Sequence, residues 1–271
     1  MHFMKRNLVT GALSLAFAAS FLPASEAAEL PSPQTLRAQL GSAPVTVEIV
    51  EPHLSTPEKP VRVRYLGYPA EAILDALLGR DWRLAGQELA FHALDGYVAR
   101  LAPEQFARYR AYLVFARADG AEFVVDSIGQ HEKRVPLAPY YLVWDNITAP
   151  ELISQGAYGW PYQVTTVDLS ASVDRILLPA GMEAFAEQAD LLKEYCLSCH
   201  RVNGIGGDKY PINLATRIKT MDEETFTAWV LAPSRVKPGT TMPALARMQP
   251  QSRRENMAYA LFVYLQALPA E

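Results

Sequence analysis

The chain has 271 residues, half of them hydrophobic, a fifth charged and a tenth aromatic. That is globular composition with room for about two domains at ~100–200 residues each, which excludes a disordered chain and a mini-protein. The 25 Lys and Arg against 29 Asp and Glu give a formal charge of −4, and no run of basic residues tracks a phosphate backbone, so nucleic acid is excluded as a partner.

Residues 1–27 predict a signal peptide. Lys5 and Arg6 form a positive start, Leu8 to Leu22 is an uncharged apolar run, and Ser25-Glu26-Ala27 places small residues around a cleavage site. The run is shorter than the ~20 residues a spanning helix needs, although an uncleaved segment would act as an anchor. Removing it takes away Lys5, Arg6 and Glu26 and leaves 23 basic and 28 acidic residues, a formal charge of −5. The expectation is an exported, periplasmic protein with no membrane span after cleavage.

Residues 28–178 predict an α+β domain, mostly β. Val45 to Val50 and Val61-Arg62-Val63-Arg64-Tyr65 have strand character, the latter alternating, and Ala70 to Leu78 reads as a helix stopped by Gly79. Asp95-Gly96 and Asp119-Gly120 are turn signals, the second predicting a hairpin between Tyr112 to Arg117 and Glu122 to Val125. Tyr140 to Trp144 and Tyr162 to Leu169 add two strands, and residues 179–181 form a short linker.

Residues 182–271 read as helical. Phe185, Ala189, Leu192 and Cys196 share one helix face, Thr220 with Glu223 and Ser252 with Glu255 read as capping boxes, and Pro233 ends the middle helix. Met257, Leu261, Tyr264, Leu265 and Leu268 form the apolar stripe of the last helix.

The only two cysteines lie in Cys196-Leu197-Ser198-Cys199-His200, the C-x-x-C-H pattern of covalent haem attachment. Each thiol adds to one porphyrin vinyl group, and the adjacent His200 is carried beneath the iron. The competing readings are a disulfide, a thioredoxin-like redox pair and half of a zinc site, the last lacking a second ligand pair. Downstream, Val236-Lys237-Pro238-Gly239-Thr240-Thr241-Met242-Pro243 is a loop that presents one Met among residues unable to continue a helix. Its thioether suits haem iron opposite histidine. Met248 competes for the role, whereas Met221 and Met257 suit packing better.

On these motifs, residues 182–271 resemble a class I c-type cytochrome, which implies an all-α domain with one covalent haem c. In that family the Cys pair and His follow an N-terminal helix, and a Met in a Lys-Pro-Gly-Thr-x-Met-Pro-like loop caps the other face. Cys196 and Cys199 are then the attachment residues, and His200 and Met242 the iron ligands. The resemblance also implies a backbone carbonyl acceptor for the proximal imidazole at a Pro, with Pro211 the candidate although Tyr210-Pro211 replaces the usual Gly-Pro. Phe226, Trp229, Leu214, Leu245 and the last helix are expected to bury the macrocycle.

A second resemblance covers residues 40–178. Tyr65-Leu66-Gly67-Tyr68-Pro69, Asp95-Gly96-Tyr97, Tyr140-Tyr141-Leu142-Val143-Trp144 and Trp160-Pro161-Tyr162-Gln163-Val164 are similar to the molybdopterin-binding domain of the sulfite-oxidase group. That family binds molybdenum through a cysteine thiolate, and both cysteines here are committed to haem, so no molybdenum cofactor is expected. The domain would be a degenerate relative that recognises a partner or shields haem, with His92, His131 and Arg134 as candidates for a residual anion site.

These readings predict two domains, a sulfite-oxidase-like α+β domain followed by an all-α cytochrome c domain. The expected function is single-electron transfer between a periplasmic oxidoreductase and a downstream acceptor, a carrier rather than an enzyme, with no catalytic residue assigned. The alternatives are a dedicated haem subunit of a periplasmic dehydrogenase complex, or a haem enzyme or sensor whose Met dissociates.

Overall fold

The computed structural model describes residues 27–270, so the signal-peptide reading, apart from Ala27, lies outside the described residues. Among these residues the strands are β1 (Ala28–Glu29), β2 (Val45–Val50), β3 (Arg62–Pro69), β4 (Gln87–Ala93), β5 (Val98–Leu101) and β6 (Ala111–Arg117). They continue with β7 (Val124–Ser127), β8 (Glu132–Pro136), β9 (Tyr141–Trp144), β10 (Val164–Ala171), β11 (Arg201–Val202) and β12 (Ile205–Gly206). Two antiparallel four-stranded sheets, ordered β1-β10-β4-β5 and β2-β3-β6-β9, enclose the first core, and β7-β8 and β11-β12 are separate ladders.

Alternation builds the second of these sheets. In β3, Val63 and Tyr65 point inward while Arg62 and Arg64 face solvent, the period-2 pattern of a half-buried strand. Gly67 is needed there because a Cβ would stand 2.4 Å from the Leu113 carbonyl oxygen on β6. The chain leaves β3 at Pro69 directly into the Ala70–Leu78 helix, which buries Ala70, Ile73 and Leu74 and stops at Gly79 with φ 70°. Phe106 then knits the core, its ring within 5.0–6.1 Å of Trp82, Phe91 and Trp144.

A second core runs from Val173 to Leu268. The helix Ala186–Tyr195 packs Ala189 and Leu192 against Leu261, Tyr264 and Leu265 of the helix Gln251–Ala267. The Tyr264 hydroxyl donates to the Leu177 carbonyl at 2.6 Å, fastening the last helix to the segment's start.

Three expectations are corrected. The chain is mixed α/β throughout, about 35% helix and 25% strand over several sheets, and residues 182–271 are not an all-α cytochrome domain. They contain the β11-β12 ladder, with Arg201 also bridged to Asn213. The cause is Asn203-Gly204, whose φ values of 47° and 82° make the two-residue turn that joins antiparallel strands.

The Asp119-Gly120 hairpin is also absent. β6 pairs with β3 and β9 while β7 pairs with β8, so a chain reversal there joins different sheets. The capping boxes fail as well. Asp222 caps the helix Glu223–Leu231 by accepting from Thr225 N, and the last helix begins at Gln251 after Pro250 with no side-chain cap.

Candidate functional site

The helix Ala186–Tyr195 ends at Cys196, and a tight loop carries the chain through Cys199 and His200 into β11. Cys199 N and His200 N both donate to the Cys196 carbonyl, at 3.2 and 3.0 Å, and Gly207 N returns to the Leu197 carbonyl at 2.8 Å. Gly206 and Gly207 make this return possible. A Cβ on Gly207 would stand 1.9 Å from the Ser198 carbonyl oxygen, and one on Gly206 would stand 2.1 Å from that of His200.

His200 Nδ1 hydrogen-bonds the Tyr210 carbonyl oxygen at 2.9 Å. The acceptor is therefore the residue before Pro211, and Nε2 is left as the ring's ligating atom. Burial lowers the His200 pKa, with the Tyr210 carbonyl opposing, so the neutral imidazole is favoured. Tyr210 reaches across the site as well: its hydroxyl lies 2.5 Å from Thr241 Oγ1, beside Met242.

Cys196, Cys199, His200 and Met242 line one cavity that opens to solvent at its mouth. Met248 lines it too, packed against Gly156, whereas Met221 and Met257 do not. Phe226, Trp229, Leu214 and Leu245, expected around a macrocycle, are also not among its lining residues. The opposite wall comes from the N-terminal region: Tyr97, Tyr158, Trp160 and Tyr162, with His53 and Gln130. His92, His131 and Arg134 lie off the cavity, His92 being paired with Asp168 at 2.7 Å and Arg134 with Glu122.

Backbone hydrogen bonds hold the two walls together. Val98 N donates to the Ser198 carbonyl at 3.0 Å, and Asp208 N and Lys209 N both donate to the Gly96 carbonyl, at 2.7 and 3.2 Å. The Asp95-Gly96 turn fits because Gly96 has φ 85° and a Cβ there would meet the Asp208–Lys209 backbone at 2.9 Å. Lys209 Nζ pairs with Asp95 at 2.7 Å, and Lys193 Nζ pairs with the buried Glu88 at 3.1 Å and with Asp174 at 2.8 Å.

Burial pushes the Cys196 thiol up to about 12, with the neighbouring Cys199 adding to the shift. Cys199 is pushed up to about 11 by burial, Lys209 opposing and Asp95 reinforcing. A dithiol redox pair needs the reverse, a stabilised thiolate. Among the described residues no group of three or more His, Cys, Asp or Glu is placed to hold a metal ion, which removes the zinc reading.

The donor chemistry does fit a covalently held iron porphyrin: two free thiols, an imidazole with its other nitrogen fixed, and a thioether, all lining one aromatic-walled cavity. Sequence reasoning expected the N-terminal domain to recognise a partner or shield a haem face, but assigned none of the residues of this wall to the site, His53 among them. His53 sits just after β2, 6% exposed, beside the buried Glu51. Glu51 accepts from His53 N at 3.0 Å, Tyr65 at 2.9 Å and Tyr141 at 3.0 Å. Among the described residues no helix is long and apolar enough to cross a membrane. No family of known proteins, no curated protein sequence and no solved structure matches this chain.

Proposed function

We propose that this chain is a c-type cytochrome carrying one haem, attached through Cys196 and Cys199, with His200 and Met242 as its iron ligands. The observation that carries the reading is convergence: the C-x-x-C-H loop and Met242 come from segments about 40 residues apart and face the same cavity. When bound, the iron porphyrin supplies a one-electron couple, and a His/Met pair raises its potential.

The protein's part is positioning and exclusion of water. Tyr210 serves both sides, fixing the His200 tautomer with its carbonyl and steadying the Met242 loop through Thr241. Tyr97, Tyr158, Trp160 and Tyr162 cover the cysteine side, so the N-terminal region is a built-in lid on the cavity rather than an appended module. This supports a carrier, or a haem subunit of a periplasmic dehydrogenase, in which electrons pass to a partner and no substrate reacts at the site. Export to the periplasm and docking on a basic partner patch belong to the same proposal, motivated by residues 1–27 and the formal charge of −5 without them.

The test is expression in a host that ligates haem to exported protein. A mass increase of one porphyrin, with a low-spin reduced spectrum that carbon monoxide does not alter, is expected. Met242→Ala should then bind carbon monoxide and lose potential. Bare polypeptide with free thiols or a cystine would reject the proposal.

A further inference from the structure

The cavity is lined by one lysine and one arginine, both from the C-terminal segment, and only the lysine is neutralised. Lys209 faces Asp95 at 2.7 Å. Arg247, on the loop after Met242, has no carboxylate within ion-pair distance among the described residues. Its Nη1 donates to the Ser55 carbonyl at 3.1 Å and its Nη2 to that of Pro52, which leaves three of its five donors uncommitted. The other carboxylate lining the cavity, Glu194, is engaged by Tyr195 and lies near Arg253. Partial burial without a counter-charge is unfavourable for a guanidinium, and it lowers the Arg247 pKa.

The position is nevertheless built. A Cβ on Gly129 would stand 2.8 Å from Arg247 Nε, so a glycine makes the room the guanidinium occupies. Beside it lies His53, 6% exposed, whose ring lines the cavity and whose Nε2 makes no hydrogen bond of standard geometry, although the ring also feels the Trp160 backbone. Its other nitrogen is 3.4 Å from Ser127 Oγ, and Tyr162 closes the ring's flank at 5.4 Å. An unneutralised fork of N–H donors next to a buried imidazole nitrogen is chemistry suited to an anion.

We propose that Arg247 and His53 form a carboxylate or oxyanion site spanning the two regions of the chain, the guanidinium supplying the charge and His53 Nε2 a second contact. Two sources share that chemistry. One is a propionate of the attached porphyrin, an assignment that rests on the haem reading; the other is a free oxyanion admitted through the cavity mouth, which does not.

The experiment uses the full chain matured in a haem-ligating host, as wild type, Arg247→Gln, Arg247→Lys and His53→Gln. Sodium sulfate is titrated calorimetrically, and the resonance Raman band of the porphyrin carboxylates is recorded. Saturable sulfate binding that weakens at least tenfold in Arg247→Gln, and less in Arg247→Lys, establishes the site for a free oxyanion. No sulfate uptake, with a carboxylate band that moves in Arg247→Gln and His53→Gln, assigns it to the propionate. Sulfate binding and a band that are both indifferent to Arg247→Gln overturn the proposal. Should the mass show no porphyrin, the haem reading fails alone, and the sulfate titration of that chain still decides the site by the same tenfold criterion. If Arg247→Gln lacks the wild-type circular dichroism, Arg247→Lys and His53→Gln carry both readouts.

Discussion

The two walls of the cavity are made of different materials. The C-terminal wall places two sulfurs, an imidazole and a thioether in two loops, Cys196 to His200 and Thr240 to Met242, and those side chains are only partly buried. The N-terminal wall presents aromatic rings backed by a sheet core, with Trp160 at 3% and Tyr162 at 8% exposure. In the proposed cytochrome the first wall would form the bonds to haem, and the second would set dielectric and access. The walls should therefore respond to mutation in different ways: bonding residues with all-or-none changes in cofactor content, wall residues with graded changes in stability and access.

The largest effect tests the bonding wall. Cys196→Ala with Cys199→Ala should abolish covalent porphyrin entirely, read by intact mass and haem stain. A single replacement should leave one thioether and a shifted reduced spectrum.

Next comes a paired comparison of core aromatics. Trp160→Ala and Phe226→Ala each remove a buried ring and should cost about 3–5 kcal/mol by denaturant unfolding. Only Trp160→Ala should also open the haem to carbon monoxide or solvent quenchers, because only Trp160 lines the cavity. Equal access in the two variants would erase the distinction between wall and core.

The third prediction concerns pH. Burial, helped by the Arg247 charge and opposed by the Trp160 carbonyl, lowers the His53 pKa from 6.5 to about 3. The unfolded chain then takes up a proton that the folded chain refuses, so stability present above about pH 6.5 is lost as pH falls towards 3, by at most ~1.4 kcal/mol per pH unit. In buffers free of oxyanions, His53→Gln should flatten that part of the stability profile. An unchanged acid limb would place the imidazole in water. Glu51 has the opposite sign. Burial raises its pKa, against the hydrogen bonds from His53, Tyr65 and Tyr141, so its contribution is lost as pH rises through that raised value. Glu51→Gln should remove this alkaline-side slope.

The smallest effect sharpens the link between the two ligand loops. Tyr210→Phe deletes the hydroxyl contact with Thr241 but keeps the carbonyl that receives His200 Nδ1. About 0.5–1.5 kcal/mol of stability should go. Carbon monoxide should compete better with Met242, while haem attachment stays complete.

Local elements were legible wherever one short-range rule governed them. Strand character located β2, alternation located the start of β3, and Gly79 stops the Ala70–Leu78 helix at the residue expected. The stripe from Met257 to Leu268 was read correctly even though the helix start was misplaced at Ser252, since burial follows the 3.6-residue period whatever residue caps the end. Asn203-Gly204 is a hairpin signal for which the all-α domain implied by the cytochrome resemblance leaves no place. Asp119-Gly120 erred the other way, since a turn dipeptide reports a reversal but not which strand receives the chain.

From the sequence alone follow the C-x-x-C-H spacing of Cys196, Cys199 and His200, which is a covalent fact, the Pro/Gly-punctuated loop around Met242, and the strands β2, β3, β6, β9 and β10 with the helix Ala70–Leu78. Only the tertiary structure determined what stands opposite those donors. Trp160, Tyr162, His53 and Arg247 are separated by up to 194 residues and obey no common period; the backbone bonds at Gly96, Val98 and Ser198 bring them to one cavity. The same docking leaves a guanidinium without a counter-charge, a property no linear pattern encodes because it depends on which carboxylates the fold has already spent on other partners.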